Sequence, residues 1–342
     1  MPTRIPPLTV TVVVPVHEGG DAFRACAAAL VRTLGPDDEL VVVADGETDG
    51  VWRSLPAAPC PVTTVVRPVA GGPAAARNAG AAVARGDVLF FVDADVVVPA
   101  GAVERVRRAF AARPGMTALI GSYDASPADP AFLSQYRNLL HHHTHQTAGE
   151  TVSTFWGACG AIRRGAFEAA GGFDERYAAP SIEDVELGYR LTDAGQEIVL
   201  DKGLQVTHLK AWPAGGMLRT DLLRRAAPWT ELLLRRGRTE RQLNVDARSR
   251  ASVAAVAVAG LALAAAPRHP RAAFTAIGVA GLTFVGLNVR FYIFLRERHG
   301  TRFALCSIPW HAAYAVCSGA GFALGAVRHV ARHRPDRPPT SP

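Results

Sequence analysis

Three apolar runs near the start of the chain constrain its fold more than any other feature. They read VTVVVPV, LVVVA and VLFFV, and the last two are followed directly by Asp45 and by Asp93-Ala94-Asp95. Short continuous apolar runs between helical patterns are typical of strands buried in a parallel sheet. Because ligands bind beyond the carboxyl ends of such strands, we expect these acids at a ligand-binding edge of the sheet.

The alternation of strand and helix patterns continues along the chain. Strands are predicted over 10–15, 40–44, 63–67, 87–92 and 118–123, and helices over 21–34, 71–85, 99–112 and 132–146. This order predicts an α/β fold with a doubly wound, mostly parallel sheet. With 342 residues, the chain is long enough for one such domain and a smaller second region.

The acids after the second and third runs suggest a metal and a nucleotide. Asp93 and Asp95 are spaced so that both carboxylates can turn toward one divalent cation. A cation there would neutralise a departing nucleotide diphosphate, with Asp95 as the direct ligand and Asp93 acting through water or on the sugar. Asp45 is expected to accept a hydrogen bond from the nucleotide base, but an aspartate that caps a turn or a helix explains its position equally well.

A second acidic pair occurs in the string SIEDVELGYRL. Ser181 followed by Glu183 and Asp184 predicts a loop that enters an amphipathic helix with acids in its first turn. Favourable interaction with the helix dipole accounts for one acid. A carboxylate near a hydroxyl nucleophile can also act as a general base. Arg190, about two turns later, is expected to organise this helix.

The helix predicted over 132–146 carries His141, His142, His143 and His145. Adjacent residues on a helix diverge by about 100°, so the four side chains cannot all reach one ion. We therefore interpret the cluster as a solvated or acceptor-facing helix surface rather than as a metal site.

The chain becomes strongly apolar after residue 250. Three nearly uncharged segments follow, ASVAAVAVAGLALAAA, AAFTAIGVAGLTFVGLNV and FALCSIPWHAAYAVCSGAGFALGAV. The second and third approach or exceed the roughly 20 residues that span a bilayer, whereas the first is short. A buried bundle of soluble helices is the alternative. Three spans would place the arginine-rich end outside, so we expect one segment to be re-entrant or interfacial.

The formal net charge of +7 comes almost wholly from arginine. Arginines crowd the approach to the apolar region, at Arg219, Arg224, Arg225, Arg235, Arg236, Arg238, Arg241, Arg248 and Arg250. This position favours the anionic inner surface of a membrane as the partner. No aromatic-rich RNA-binding pattern accompanies the arginines, so no nucleic-acid partner is expected.

Cysteine usage and the N-terminus indicate the compartment. The five cysteines show no spacing typical of a zinc site or a disulfide framework, so we expect them to be reduced. The first ten residues, MPTRIPPLTV, lack the pattern of a signal peptide. The front domain is therefore expected in the cytoplasm, where nucleotide-activated metabolites are available.

Six segments together resemble the family 2 glycosyltransferases, which have the GT-A fold. They are VTVVVPVHE, VVVADGETDG, ARNAG, FFVDADVVV, WGACGAIRRGAFEAAGGFDE and EDVELGYRL. The resemblance covers about residues 8–210 in consistent order. It implies an enzyme that transfers a sugar from a nucleotide-sugar donor with inversion of configuration, assisted by Mg²⁺ or Mn²⁺.

The resemblance also implies roles for particular residues. Asp184 would be the catalytic base, and Asp95, His208 and Asp93 would form the metal site. The donor would be held by Pro15, His17, Asp45, Arg77, Asn78, Asp93 and Ala94. The remaining substrate contacts are expected from Trp156, Gly157, Glu183 and Arg190.

The chain departs from the family pattern at several positions. Ala44 stands where the family often has an acid, and His17 and Glu18 replace an aromatic–amide pair, which leaves the nucleotide preference open, with a UDP-sugar as the expected donor. The Q-x-x-R-W signature of processive synthases is missing, which favours single-sugar transfer. Arg224, Arg225 and Trp229 fall on a basic amphipathic helix suited to a membrane surface.

Together these observations predict a multi-pass protein of the cell membrane with a cytoplasmic catalytic domain and a lipid or lipid-linked acceptor. We expect a GT-A domain over 8–235, a basic juxtamembrane linker over 236–250, membrane-associated helices over 251–328 and a disordered tail over 329–342. A catalytically impaired scaffold that binds sugar nucleotides is the main alternative. A nucleotidyltransferase would need a basic phosphate-binding loop, and no lysine or arginine follows the first strand before Arg24.

Overall fold

The computed structural model describes residues 8–47, 49–238 and 243–332. The chain divides into two units, Met1–Trp212 and Pro213–Pro342. Most of the tail predicted to be disordered, from residue 333 onward, lies outside the described residues. The part of that tail from 329 to 332 is helical.

The described part of the first unit contains a mixed sheet of nine strands. They are β1 (Val10–Val16), β2 (Glu39–Asp45), β3 (Val62–Arg67), β4 (Val88–Val92), β5 (Val96–Val97), β6 (Met116–Tyr123), β7 (Thr151–Val152), β8 (Cys159–Arg163) and β9 (Glu197–His208). Their order is β3-β2-β1-β4-β8-β6-β9-β5, and β7 pairs with β9.

The strands predicted from the apolar runs form the parallel half of the sheet. β1 pairs in parallel with both β2 and β4, and β2 pairs in parallel with β3. Every residue of β2 and β4 is buried, which explains why these strands are continuous apolar runs. The strand order reverses at β1, and a crevice opens at such a switch point beyond the carboxyl ends of the strands. The prediction of a doubly wound, mostly parallel sheet is therefore confirmed.

The other half of the sheet contains strands that the sequence analysis missed. β8 lies antiparallel between β4 and β6, while β9 pairs in parallel with β6 and antiparallel with β5 and β7. β8 is only five residues long, and β9 alternates buried and partly exposed residues over its second half. Neither has the long apolar run that identifies a central parallel strand.

Six helices pack on the sheet of the first unit. They are α1 (Gly20–Val31), α2 (Gly72–Val83), α3 (Ala102–Ala112), α4 (Phe132–Thr147), α5 (Arg164–Ala169) and α6 (Glu183–Asp193). The four predicted helices correspond to α1 to α4, with ends that differ by a few residues. The start of α6 at Glu183 confirms the loop-to-helix transition predicted there, with the acids in its first turn.

The second unit is helical throughout its described part. It contains α7 (Ala214–Arg219), a π-helical segment (Thr220–Ala226), α8 (Ala227–Arg236), a short 3₁₀ turn (Leu243–Val245), α9 (Ala247–Ala265), α10 (Pro270–Leu287) and α11 (Val289–Arg332). α11 is broken at Gly300, where φ is +83°. The side chains of Asn288 and Ser252, both buried, are joined by a hydrogen bond of 2.9 Å.

By length and composition, α9 and α10 could each cross a membrane. The first apolar segment was expected to be too short, and that expectation is wrong because α9 begins four residues before the apolar run and reaches 19 residues. The third segment lies within the broken helix α11, which is not one of these two candidates among the described residues. In α9 and α10 large apolar side chains are exposed, including Leu261, Phe274 and Leu282.

A glycine on α2 allows this helix to pack closely on β1 and β2. A Cβ atom at Gly80 would lie 2.4 Å from Val13 Cγ1 and 2.9 Å from Val43 Cγ2. Both valines belong to buried strands that cannot move without disturbing the sheet. Gly80 therefore sets the distance at which α2, which also carries Arg77, contacts the sheet.

We expect Gly80→Ala to destabilise the first unit by about 1–3 kcal/mol, since overpacking outweighs the better helix propensity of alanine. Thermal unfolding of the purified protein measures this change. Gly165→Ala is the matched control, because Gly165 also lies in a helix and has open space around its Cα. An unfolding temperature for Gly80→Ala equal to or above that of the wild type would contradict the close packing.

Candidate active site

Asp95 and His208 lie side by side at the carboxyl end of the sheet. Asp95 Oδ2 is 3.5 Å from His208 Nε2. The pairing of β5 with β9 fixes this arrangement, because Val96 lies opposite His208 and the Leu209 N–H donates to the carbonyl of Asp95 at 2.9 Å. Burial opposes ionisation of Asp95, but the hydrogen bond and charge of His208, together with Lys210, outweigh burial and lower the pKa of its carboxyl.

These two side chains fit a cation that is shared with a phosphate group. Mg²⁺ is commonly held by one or two carboxylates plus substrate phosphates and waters, and imidazole is a frequent metal ligand. Asp93 was expected to be a third ligand, but one of its oxygens is engaged by Arg77. Among the described residues no group of three possible ligands is suited to hold a metal ion. The donor set therefore matches a cation completed by a ligand rather than one enclosed by protein.

The guanidinium of Arg77 links two acidic segments beneath the crevice. Its Nη2 donates to Asp93 Oδ1 at 2.7 Å, and its Nη1 donates to Glu183 Oε1 at 3.0 Å. The Arg77 side chain is only 4% exposed. Burial by itself would lower the pKa of this guanidinium, but the charges of Asp93 and Glu183 outweigh burial and raise the pKa above its ordinary value. The group therefore stays protonated. Arg77 was expected to contact the donor, and the structure instead places it in a buried ion triad.

Asp184 accepts hydrogen bonds from two backbone N–H groups. Its Oδ2 accepts from the Gly157 N–H at 3.1 Å and its Oδ1 from the Val185 N–H at 2.8 Å. Burial and the negative charge of Glu183 raise the pKa of Asp184 to about 6, against the opposing effects of these N–H groups and Arg77. Asp184, a partly exposed residue, thus has a pKa close to the range useful for a general base.

Gly157 positions the segment that supports Asp184. A Cβ atom at this residue would lie 2.7 Å from Arg77 Cζ, so only glycine fits against the guanidinium plane. The preceding residue, Trp156, is partly exposed. Trp156 and Gly157 therefore both lie on the segment that holds Asp184, and their roles toward a substrate stay predictions.

An aromatic wall extends from His208 to Trp156. It consists of Tyr123, His141, His145, Trp156 and His208. The His208 ring stacks on Tyr123 with centroids 4.5 Å apart, and Tyr123 meets Trp156 edge-on at 4.8 Å. His141 lies 4.8 Å from Trp156 and 4.0 Å from His145. The wall provides a ring surface next to the Asp95–His208 pair.

The histidines of α4 form a packed face, and the expectation of a solvated surface is wrong for most of them. Three of the four are buried. His142 Nδ1 lies 2.8 Å from the carbonyl of Tyr123, and His145 Nδ1 lies 3.1 Å from the carbonyl of Gly121. His142 and His145 therefore bind the backbone of β6, the strand directly before α4 in the chain, and periodicity alone does not show which helix face packs on it.

Asp45 is engaged by the protein itself. Its carboxylate accepts from the Gly71 N–H at 3.0 Å and the Gly72 N–H at 2.9 Å, and Arg67 Nη1 lies 3.1 Å away. This arrangement matches the alternative of a capping aspartate at the start of α2. His17, exposed after β1, approaches the carbonyl of Asp45 at 2.8 Å through Nδ1.

A cleft of about 290 Å³ opens beside the end of β1. Its lining residues are His17, Glu18, Gly19, Gly20, Glu47 and Asp49. Pro15, also assigned to the donor, lies within β1 opposite Val43. Ala94 is partly exposed between the two aspartates of the loop after β4. Pro15, His17, Asp45, Asp93 and Ala94 are therefore grouped at the carboxyl ends of β1, β2 and β4, whereas Arg77 and Asn78 lie on α2.

Two further predicted residues hold loops in place. Asn78 donates to the carbonyl of Phe173 and to Glu175 Oε1, both at 2.9 Å, and its Oδ1 accepts from the Phe173 N–H at 2.9 Å. Arg190 donates to Glu186 and to the carbonyls of residues 170 and 172. Arg190 was expected to organise α6, and these contacts show it bracing that helix against the preceding turn.

Known proteins are similar to this chain over different parts of its length. Residues 11–171 match the model of the glycosyl transferase family 2 domain. The pre-mycofactocin glycosyltransferase of Mycobacterium tuberculosis is 30% identical over 212 residues, which are 58% of this chain and 42% of that protein. The chain thus spans about two fifths of the length of that relative.

Two other proteins are similar. The N-acetylglucosaminyl-diphospho-decaprenol L-rhamnosyltransferase of M. tuberculosis is 37% identical over 103 residues, covering 30% of this chain and 31% of that protein. A mannosyltransferase from Pyrobaculum calidifontis, solved in complex with GDP-Man and Mn²⁺, superposes with a TM-score of 0.53 over 95% of this chain and 88% of its own, at 18% identity. At that identity the likeness shows the fold alone.

The family match covers β1 to β8 and the helices between them, and so includes Asp45, Arg77 and the Asp93–Asp95 loop. The mixed nine-stranded sheet is that of the GT-A fold. Residues 11–171 therefore form a family 2 glycosyltransferase domain.

Proposed function

We propose that this protein transfers a sugar, with inversion of configuration, from a nucleotide-sugar to a hydroxyl of a lipid or lipid-linked acceptor at the cytoplasmic face of a membrane. The observation that carries the proposal is the division of roles among neighbouring acids. Asp93 and Glu183 share the guanidinium of Arg77, whereas Asp184, a partly exposed residue, accepts from two backbone N–H groups. The carboxylate of Asp184 is therefore the one proposed to accept a proton.

Asp184 would act as the general base. Its carboxylate would accept the proton of the acceptor hydroxyl while that oxygen attacks the anomeric carbon on the face opposite the nucleotide. The N–H groups of Gly157 and Val185 would keep the carboxylate oriented during this step. Direct attack without a covalent intermediate inverts the anomeric configuration.

Asp95 and His208 would hold the divalent cation. When bound, Mg²⁺ or Mn²⁺ supplies charge neutralisation for the departing diphosphate. The Mn²⁺ in the similar mannosyltransferase supports this assignment. Asp93 would contribute its remaining oxygen to the donor sugar or to a bound water, because Arg77 occupies the other one.

The cleft beside β1 would bind the nucleotide base, and a UDP-sugar is the expected donor. The acidic residues of the cleft, Glu18, Glu47 and Asp49, offer acceptors for base N–H groups. A thermal-shift panel of UDP-, GDP- and dTDP-sugars with and without Mn²⁺ tests the donor class. If none of these nucleotide-sugars stabilises the protein, the enzyme has no donor and the scaffold alternative has no ligand.

The aromatic wall would contact the acceptor. Trp156, the member closest in sequence to Gly157, is partly exposed and can stack on a sugar ring or another flat group. A lipid-linked acceptor is supported by the decaprenol-linked substrate in the name of the similar rhamnosyltransferase. α9 and α10 would anchor the protein in the membrane that holds such an acceptor. The predicted boundaries at 235, 250 and 328 remain part of this proposal.

Asp184→Asn is expected to reduce transfer by about 10²–10⁴-fold, the usual contribution of a general base, while donor affinity stays within about twofold. Donor consumption and product formation measure the first quantity, and isothermal titration calorimetry measures the second. Asp193→Asn at the exposed end of α6 is the matched control and should behave as wild type. Donor affinity that collapses together with turnover would contradict the assignment.

The raised pKa of Asp184 sets the acid limb of the pH profile. A base must be ionised to act, and an upward shift moves the loss of ionisation from near pH 4 to near pH 6. The turnover number should therefore be level above pH 7 and fall about tenfold for each unit below pH 6. A turnover number that stays constant down to pH 5 would exclude Asp184 as the base.

His208→Ala and Asp95→Asn should each weaken Mn²⁺ binding to the nucleotide complex by about tenfold or more, because each removes one of two protein ligands. Mn²⁺ electron paramagnetic resonance in the presence of UDP measures the free ion directly. Glu197→Gln, at the opposite end of β9, is the control. Unchanged Mn²⁺ affinity in both ligand variants would remove the metal site from this position.

Membrane anchoring predicts that the protein stays in the membrane pellet after an alkaline carbonate wash. The substitutions Leu261→Arg and Leu282→Arg, at side chains each more than 70% exposed, should release the protein from the membrane pellet. A charge at the centre of a membrane span costs about 2.5–3.5 kcal/mol. Val69→Arg, at a similarly exposed position of the first unit, should leave the pellet fraction unchanged. Release of the wild-type protein by the wash would contradict the anchor.

A further inference from the structure

Lysine is almost absent from this basic chain. Of its 37 lysines and arginines only Lys202 and Lys210 are lysines. Lys202 lies within β9, and Lys210 follows the end of that strand, two residues after His208. A lysine ammonium is a compact point charge that can bind phosphate, as the guanidinium of arginine also does. Lys210 therefore places a phosphate-binding type of side chain close to Asp95 and His208.

The backbone holds Lys210 next to the Asp95 loop. The N–H of Leu209 donates to the carbonyl of Asp95 at 2.9 Å, so the adjoining residue lies close to that loop. The charge of Lys210 contributes to the ionised state of Asp95. The Lys210 side chain is exposed, and its ammonium lies 4.7 Å from the centroid of the Trp212 ring. The backbone N–H of Trp212 in turn donates to Ser134 Oγ at 2.8 Å, which fixes the backbone of Trp212.

Among the described residues, no salt bridge joins Lys210 to a carboxylate. Three arginines at this end of the sheet are by contrast paired with acids, Arg67 with Asp45, Arg77 with Asp93 and Glu183, and Arg190 with Glu186. The contact of Lys210 with Trp212 is a cation–π interaction at an exposed position, which is weak. A phosphate group can therefore recruit the ammonium without breaking an ion pair.

We propose that Lys210 binds the diphosphate of the nucleotide donor and neutralises it as it leaves. This assignment rests on the proposed function and adds a residue to it. Asp95 and His208 would hold the cation, and Lys210, two residues beyond His208, would supply a second positive charge.

The role of Lys210 follows from the balance of the transfer step. The bond between the anomeric carbon and the β-phosphate oxygen breaks, and its electron pair stays on that oxygen. The new bond forms to the acceptor oxygen, whose proton passes to Asp184. The leaving diphosphate gains one negative charge, and the Lys210 ammonium stabilises that charge as a hydrogen-bond donor without giving up its proton.

The two lysines allow a direct measurement with an internal control. Acetylation of the full-length protein by N-hydroxysuccinimidyl acetate is followed at both lysines by mass spectrometry. Mn²⁺ with UDP or with GDP should slow acetylation of Lys210 by about tenfold, whereas Mn²⁺ with uridine should not. Lys202, a partly exposed residue within β9, should react at an unchanged rate in all conditions.

Variants separate a charge contact from steric shielding. Lys210→Met should weaken UDP binding in calorimetry by about tenfold and reduce its dependence on salt, while Lys210→Arg retains most of the affinity. Lys202→Met is the matched control and should bind UDP as the wild type does. Circular dichroism of each variant shows whether the fold is kept.

The outcomes distinguish this proposal from the one on which it rests. Nucleotide binding with no protection of Lys210, or equal UDP affinity in Lys210→Met and wild type, would overturn the role of Lys210 and leave the glycosyltransferase proposal standing. Protection that survives with uridine alone would also overturn it, because no phosphate is then present. The absence of any nucleotide binding by the wild type would overturn both.

Discussion

The buried guanidinium of Arg77 is the contact on which the candidate site depends. It joins Asp93, at the end of β4, to Glu183, at the start of α6, and the plane of the guanidinium packs against Gly157. Three segments that are distant in sequence meet at this one group. Breaking a buried ion pair by removing one partner costs about 3–5 kcal/mol, because a charge is left buried and unpaired. The geometry around Asp184 therefore depends on Arg77, although the two side chains share no hydrogen bond among those described.

The same type of side chain performs different tasks according to its surroundings. Asp45 caps the start of α2, Asp93 and Glu183 neutralise Arg77, and Asp95 pairs with an imidazole. Asp184 lies near Glu183 in a buried environment, and its pKa is raised to about 6. Burial also raises the pKa of Asp93, but Arg77 donates to that carboxylate. Asp184 is instead held by the backbone N–H groups of Gly157 and Val185, so its surroundings, rather than its residue type, distinguish it from the other aspartates.

The antiparallel half of the sheet completes the site. β9 brings His208 beside Asp95 by pairing with the short strand β5, and it carries Lys210 just beyond its end. α4 contributes His141 and His145 to the aromatic wall by packing on β6. The parallel strands thus supply the acidic loops. The antiparallel half of the sheet and α4 supply the imidazoles and aromatic rings beside those loops.

The sequence by itself determined the parallel strands, the helices between them, the start of α6 and the acids at the strand ends, because burial on both faces forces continuous apolar runs and short loops. It also indicated the apolar character of the last hundred residues. Only the tertiary structure decided that Asp45 is a capping residue, that Arg77 is buried between two acids and that the α4 histidines are packed. Those outcomes depend on contacts between residues far apart in the chain, which local periodicity cannot encode. The pairing of β5 with β9 is of the same kind, since two residues of strand leave almost no pattern in a sequence.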